Sequence, residues 1–326
     1  MIRHRKTAIA LALFLSNLHG ASDSELLGSG HGLDHVGIAV HDLAQAERLF
    51  RDTLGFTIGL RGRLLDGTTD TDIEFKHQGQ YLELVIVDDR QKASVRQGDL
   101  VRFLDQHEGA VFAALDTSSA ARTAAFLRKR GLAVDGPAGN AWTLDGVQEQ
   151  FPEGWLRVRV DAPNTIFFLE YHNRIWKPLE QKYPQLKDDP RRQAHPNGAT
   201  AIRAAWMAVK DLDAATAAYE RLGLAPGRKF ELASLGAIAQ EIKARAGIIL
   251  LIAAANSDGP VARSLNQRGE SVMGVSLEVP ELSKTGAVLA ERIHRTLPIY
   301  TGPYGRSLVV PGELASGVWI EFFDKR

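Results

Sequence analysis

The stretch LDHVGIAVHDLAQAERLFRDTLGF, Leu33 to Phe56, decides the fold. Val36, Ile38 and Val40 alternate with His35, Gly37 and Ala39, the period of a half-buried strand with one face in a core and the other carrying His35. Asp42 stands where a helix cap belongs. Leu43, Ala46, Leu49, Phe50 and Leu54 then recur at helical spacing until Gly55 ends the helix. FTIGLRGRLLDG, TTDTDIEFKHQGQ and YLELVIV follow, three stretches of strand character separated by glycine-containing turns. The unit reads βαβββ.

Worn copies of this unit begin near Gly109, Ala201 and Ser271. The second runs from AVFAALDTSSAARTAAFLRKRGL to WLRVRV and TIFFLEYH. The third runs from AIRAAWMAVKDLDAATAAYERLGL to AGIILLIAAA, and the fourth from SVMGVSLEVPELSKTGAVLAERI to GVWIEFF. The predicted fold class is therefore α+β: four βαβββ modules paired into two domains, each with a curled, cleft-forming mixed sheet. The expected boundaries are 31–175 for the first domain, 176–199 for a linker and 200–326 for a second, degenerate domain. Pro178, Pro184, Pro190 and Pro196 interrupt regular structure in the linker, although their even spacing also suits an ordered strap across the surface.

Composition narrows the function. Of 326 residues, Lys plus Arg and Asp plus Glu number 39 each, so no overall charge draws the chain to nucleic acid or an anionic membrane. A small molecule is the expected partner. The absence of cysteine excludes thiolate metal sites, disulfides and cysteine nucleophiles. No glycine-rich stretch ends in the Lys-Ser/Thr of a phosphate loop, and no serine sits in a nucleophile elbow. At the N-terminus, the basic MIRHRK, the apolar TAIALALFL and a small-residue segment follow the order of a secretory signal peptide over residues 1–22. This predicts a periplasmic or secreted protein with no stable membrane association once the signal is removed. A cytoplasmic protein with a disordered amphipathic start is the alternative.

Two carboxylates stand out. Tyr81, Glu83 and Val85 share one face of YLELVIV, and Phe168, Glu170 and His172 share one face of TIFFLEYHN. A carboxylate amid apolar residues must be neutralised, paired or bound to a metal. LDHVGIAV with His35 and YLELV with Glu83 resemble the first and fourth strands of the vicinal oxygen chelate superfamily. GTTDTDIEF, YLEL, TIFFLEYHN and HPNGAT most resemble its glyoxalase-like domain proteins.

The resemblance implies that two modules curl around a cleft in which strand-one and strand-four residues of both bind one divalent ion. His35 and Glu83 match the first module's positions, Glu170 is matched to the second module's strand four, and the remaining position falls near Ala110, which cannot ligate. The resemblance thus implies a metal set of His35, Glu83 and Glu170, suited to Zn, Ni, Co, Mn or Fe. The implied activity is that of a glyoxalase-like lyase or isomerase, with Glu170 or His172 moving a proton on an oxygen-chelating substrate. The competing reading is a metal-free binding or sequestering protein, its carboxylates paired with Arg61, Arg63, Arg157 or Arg159. Extradiol ring cleavage is disfavoured because the second pair of modules keeps only Glu321. That half is expected to be a scaffold, a dimer surface or an apolar pocket with Trp206 as contact residue. His77, His107 and His195 are expected to face solvent, and the modules to pair within one chain or across a homodimer.

Overall fold

The structure is a computed structural model that describes residues 25–324 except 77–78, 140, 146, 148, 152–153, 161–165, 172 and 188, with the side chains of 173–175 also left aside. The expected signal segment and His77 and His172 lie outside the described residues. The first sheet has ten strands: β1 (Leu33–Ala39), β2 (Arg61–Leu64), β3 (Thr68–Glu74), β4 (Tyr81–Val87), β5 (Gly109–Asp116), β6 (Val134–Gly139), β7 (Trp142–Leu144), β8 (Gln150–Phe151), β9 (Trp155–Val160) and β10 (Ile166–Tyr171). The second has eight: β11 (Ala201–Ala208), β12 (Ala225–Leu232), β13 (Ala237–Ala244), β14 (Gly247–Ala254), β15 (Ser271–Val279), β16 (Tyr300–Gly302), β17 (Gly305–Val310) and β18 (Trp319–Asp324).

Four βαβββ modules account for nearly all of this. Their helices are α1 (Leu43–Arg48), continued as a π-helical turn to Thr53, α4 (Ala120–Lys129), α6 (Leu212–Leu222) and α8 (Leu282–Ile293). Helices α2 (Arg90–Arg96) and α3 (Gly98–Leu104) join the first two modules, α5 (Asn173–Lys182) follows β10, and α7 (Pro260–Arg268) joins the last two modules. Local chemistry sets the ends. Asp42 accepts a hydrogen bond from Gln45 N (2.9 Å), and Asp211 accepts from Asp213 N and Ala214 N. Gly223, at φ 97°, closes α6 in a left-handed turn that a side chain would strain.

In each sheet the first strands of two modules pair antiparallel, β1 with β5 and β11 with β15, and each fourth strand lies parallel to its own first strand. One departure from the repeat is the hairpin β7–β8, which grows from the second module yet pairs with β2 of the first and extends its edge.

A single apolar core spans both sheets. It gathers Val36, Ile38, Phe50 and Phe56 from the first with Ile202, Met207, Tyr219 and Phe322 from the second, and Phe56 stacks on Phe322 at 6.1 Å. Gln80, buried within this seam, donates from Nε2 to the Leu33 and Ile202 carbonyls (2.9 and 3.0 Å) and accepts from Ile202 N (2.9 Å). One amide thus ties β1 to β11.

Apart from residue 188, which lies outside the described residues, segment 176–199 lies as a strap against the first module. Trp176, Leu179, Tyr183 and Leu186 pack on Trp142, Leu144 and Phe151, and Arg192 pairs with Glu74. His195 does not face solvent. It is buried between Phe56 and Phe75, accepts from Thr57 N at Nδ1 (3.0 Å) and donates from Nε2 to the Glu74 carbonyl (2.9 Å). The two hydrogen bonds define a neutral ring, and burial lowers its pKa from 6.5 to about 4.

Replacing Gln80 by Leu strands two carbonyls and one amide in the seam and should lower the unfolding free energy by about 3 kcal/mol, read by urea denaturation. The His195 pKa is lower folded than unfolded, so its contribution is present above pH 6.5 and fades as pH falls toward about 4, by about 3 kcal/mol in all. Unfolding curves across that window should be steeper in pH for the wild type than for His195→Gln. Equal slopes would remove His195 as the source.

Candidate functional site

The concave face of the first sheet gathers the charged residues, and a backbone irregularity begins the arrangement. Leu33 lies opposite Leu115 and His35 opposite Ala114, so Asp34 is an extra residue, a β-bulge. The bulge turns Asp34 to the side of His35. Its Oδ2 lies 2.6 Å from His35 Nδ1 and accepts from the Tyr171 hydroxyl at 2.8 Å, and the Tyr171 and Tyr81 hydroxyls are 3.2 Å apart. His35 Nε2 faces Glu83 Oε2 at 3.3 Å. The imidazole stacks on Tyr81 (4.3 Å) and meets Phe112 and Phe167 edge-on.

At 2% exposure, burial alone would strip the charge from His35. Hydrogen bonds to Asp34 and Glu83, together with their charges, override it and raise the pKa to about 10. The ring is an imidazolium held between two carboxylates. Asp72 lies directly across from Glu83, and Asp70 across from Val85. Burial, and then the charge of Glu83, push both aspartic carboxyls well above their usual range.

The second module contributes differently. Phe112 precedes the Ser119 helix cap by the same seven residues that separate His35 from Asp42. Phe167 lies opposite Ala114 as Glu83 lies opposite Gly37. The four convergent positions are therefore His35, Glu83, Phe112 and Phe167, and the aromatic ring of Phe112 covers Gly37 so closely that an added Cβ would stand 2.1 Å from it.

Glu170 is three residues beyond the matching position and on the opposite face. Phe167, Leu169 and Tyr171 line the cleft, whereas Phe168 enters the main core and Glu170 Oε2 accepts from Ala120 N (2.8 Å) in the first turn of α4. The strand's period of two is the physical reason: the even-numbered residues of β10 point away from His35. His172 lies outside the described residues. Among the described residues no three His, Asp or Glu side chains converge as a metal centre, and the set His35, Glu83 and Glu170 is not assembled. Two donors backed by two phenyl rings do not fit the three- or four-ligand site that the resemblance implies.

The arginines separate as well. Arg61 pairs with Glu47 and Arg63 with Asp88, while Arg157 and Arg159, across from Leu169 and Phe167, face the cleft. Arg157 lies over the Phe167 ring at 5.7 Å, and burial brings its pKa down to about 10. Leu100 and Leu104 of α3 cover Ala39, Val85 and Val111 at one end of the cleft. Two surface hollows, of 510 Å³ beside Arg122 and Lys129 and 370 Å³ beside Arg61, lie away from His35.

The concave face of the second sheet is closed. Trp206, 1% exposed, packs with Leu232, Leu235, Leu250 and Val261. Its Nε1 donates to Ser276 Oγ (2.8 Å), which donates to Glu321, and Tyr300 adds a further bond to that buried carboxyl. Trp206 thus fills the expected pocket and cannot serve as its contact residue.

Two paired-module sheets with such a cleft define a member of the vicinal oxygen chelate superfamily. Within it the chain belongs to the glyoxalase-like domain family, whose profile matches residues 33–223, more than half of its length. Among solved structures, it is similar to a variant of 4-hydroxymandelate synthase from Streptomyces coelicolor (11% identity, 91% of this chain and 93% of that one, TM-score 0.60). A hypothetical protein from Staphylococcus aureus is similar at 12% identity, over 90% of this chain and 98% of that one, with a TM-score of 0.56. Methylmalonyl-CoA epimerase from Mycobacterium tuberculosis matches at 21% identity over 40% of this chain and 90% of its own, with a TM-score of 0.37. The first two likenesses show the fold. No curated protein matches the chain.

Sequence reasoning missed Asp34, Phe112 and Phe167, and it left Asp70 and Asp72 out of the site. Counting back from the two helix caps would have located Phe112, and the alternation of TTDTDIEF places Asp70 and Asp72 on one face. Glu170→Gln should destabilise the fold by about 1 kcal/mol by weakening the anionic partner of α4. It should leave any ligand affinity of the cleft unchanged, as read by calorimetry.

Proposed function

We propose that the first cleft binds a compact small molecule without a resident metal ion, making this chain a binding or sequestering member of the superfamily. The observation that carries the reading is the occupancy of the four convergent positions by His35, Glu83, Phe112 and Phe167. The phenyl rings and Tyr81 supply an apolar wall for a flat or aliphatic body. The imidazolium of His35 supplies a fixed donor that can turn from Glu83 to an oxygen of the ligand. Asp34 holds that ring through Nδ1, and Tyr171 holds Asp34. The polar groups are thus positioned before the ligand arrives, which lowers the ordering cost of binding. A metal-assisted lyase or isomerase using Zn, Ni, Co, Mn or Fe is the opposing reading and requires further ligands than this pair.

Elemental analysis of protein purified without chelator or metal-binding tag should find well under one divalent ion per chain, with a melting temperature insensitive to chelator. About one ion per chain, lost in both His35→Ala and Glu83→Ala, would restore the metal-dependent reading. A thermal-shift screen of small molecules should yield ligands stabilising the fold by about 2.7 kcal/mol at about 100 Kd. That stabilisation should disappear in Phe167→Ala.

A further inference from the structure

The two walls of the first cleft carry ionisable groups of opposite sign at equivalent positions. Modules one and two are related by the antiparallel pairing of β1 with β5, under which Glu83 corresponds to Phe167 and Val85 to Leu169. Across from Glu83 and Val85 stand Asp72 and Asp70; across from Phe167 and Leu169 stand Arg159 and Arg157. Each aspartate of one wall thus has an arginine as its counterpart on the other. Asp66 and then Glu83 of the first module act on the charge of Arg157, so the walls sense each other.

Among the described residues none of Arg157, Asp70 and Asp72 forms an ion pair. Arg159 donates to Gln97 Oε1 and the Arg96 carbonyl, which anchors it to the α2–α3 segment, but the guanidinium of Arg157 has only the Phe167 ring beneath it among the described residues. On the other side Asp70 and Asp72 share a face with Glu83; burial together with its charge pushes their carboxyls up, and His35 is the cation against Glu83. An unpaired guanidinium is costly, and burial with crowding holds the two aspartic carboxyls toward the neutral form, so a ligand that brings an anion to Arg157 and a cation that favours ionisation of Asp70 and Asp72 relieves both walls.

We infer that the ligand is dipolar: an anionic group, carboxylate or phosphate, set against Arg157, and an ammonium or guanidinium group set against Asp70 and Asp72, with its carbon frame between Tyr81, Phe112 and Phe167. The inference rests on the binding role proposed for this cleft. It differs from a plain salt-bridge clamp between modules because no ion pair joins the two walls among the described residues.

The test uses calorimetry on the full chain with γ-aminobutyrate and ε-aminocaproate, against butyrate and caproate as carboxylates and butylamine and hexylamine as amines. At least one amino acid should bind about tenfold or more tightly than its matched acid and its matched amine, the gain expected of one added charge-assisted contact. Arg157→Gln should reduce the amino acid to the affinity of the amine, and Asp72→Asn to that of the acid. Asp70→Asn serves as the second variant should Asp72→Asn not fold. Equal affinity for one-charge and two-charge probes, or variants that leave the preference intact, would overturn the dipolar class. A screened ligand that stabilises the wild type, Arg157→Gln and Asp72→Asn alike overturns the dipolar class while leaving the binding role standing. Failure of every probe and every screened compound removes both.

Discussion

A βαβββ module can hide only one face of its sheet beneath its own helix, and this constraint governs the molecule. Pairing β1 with β5 and β11 with β15 makes two curled sheets, and their helix-bearing faces then share one core, fastened at its seam by Gln80. Burial of that shared surface stabilises the whole, at roughly 25 cal/mol for each Å² of apolar area removed from water. Each sheet is left with a concave face for which the repeat itself supplies no cover. The two halves of the chain have answered the same geometrical problem in opposite ways.

In the second half the answer is apolar. Ala204, Trp206 and Leu250 stand where His35, Gly37 and Glu83 stand in the first, and α7 with the turn at Ala233–Leu235 completes a small core of its own. In the first half the same surface carries a buried ionic network walled by tyrosine and phenylalanine. Such a network needs every polar group satisfied to be tolerable, and the bonds among Asp34, His35, Tyr81 and Tyr171 provide much of that satisfaction. A structural role alone would be met more simply by the apolar filling that the other half displays. The contrast within one chain is therefore an internal comparison that supports the proposal placing ligand binding in the first cleft.

The fold was legible in the sequence because the repeat is written in strand period, helix caps and glycine turns, all of which act locally. The period of two also placed His35 and Glu83 correctly on one face. It does not carry to Glu170, because the position equivalent to Glu83 is set by pairing with β5 and falls at Phe167. Asp34 was invisible for a different reason. Its side chain reaches the cleft only because the strand bulges, and a bulge depends on how β1 meets β5, which no single strand encodes. The burial of His195 likewise depends on the strap being drawn across the first module, a tertiary event that a polar, proline-rich stretch does not announce.

The bulge recurs in the second sheet, where Ile202 faces Leu277 and Ala204 faces Ser276, leaving Arg203 as the extra residue, set beneath Tyr304. A bulged residue has no cross-strand neighbour to match, so its identity is set by what its side chain meets and not by the ladder. Aspartate occupies this position in one half and arginine in the other. The same backbone irregularity thus presents an acid to His35 in one sheet and a guanidinium to an aromatic ring in the other. The irregularity that breaks the ladder is therefore what lets each sheet place one extra side chain of its own choosing.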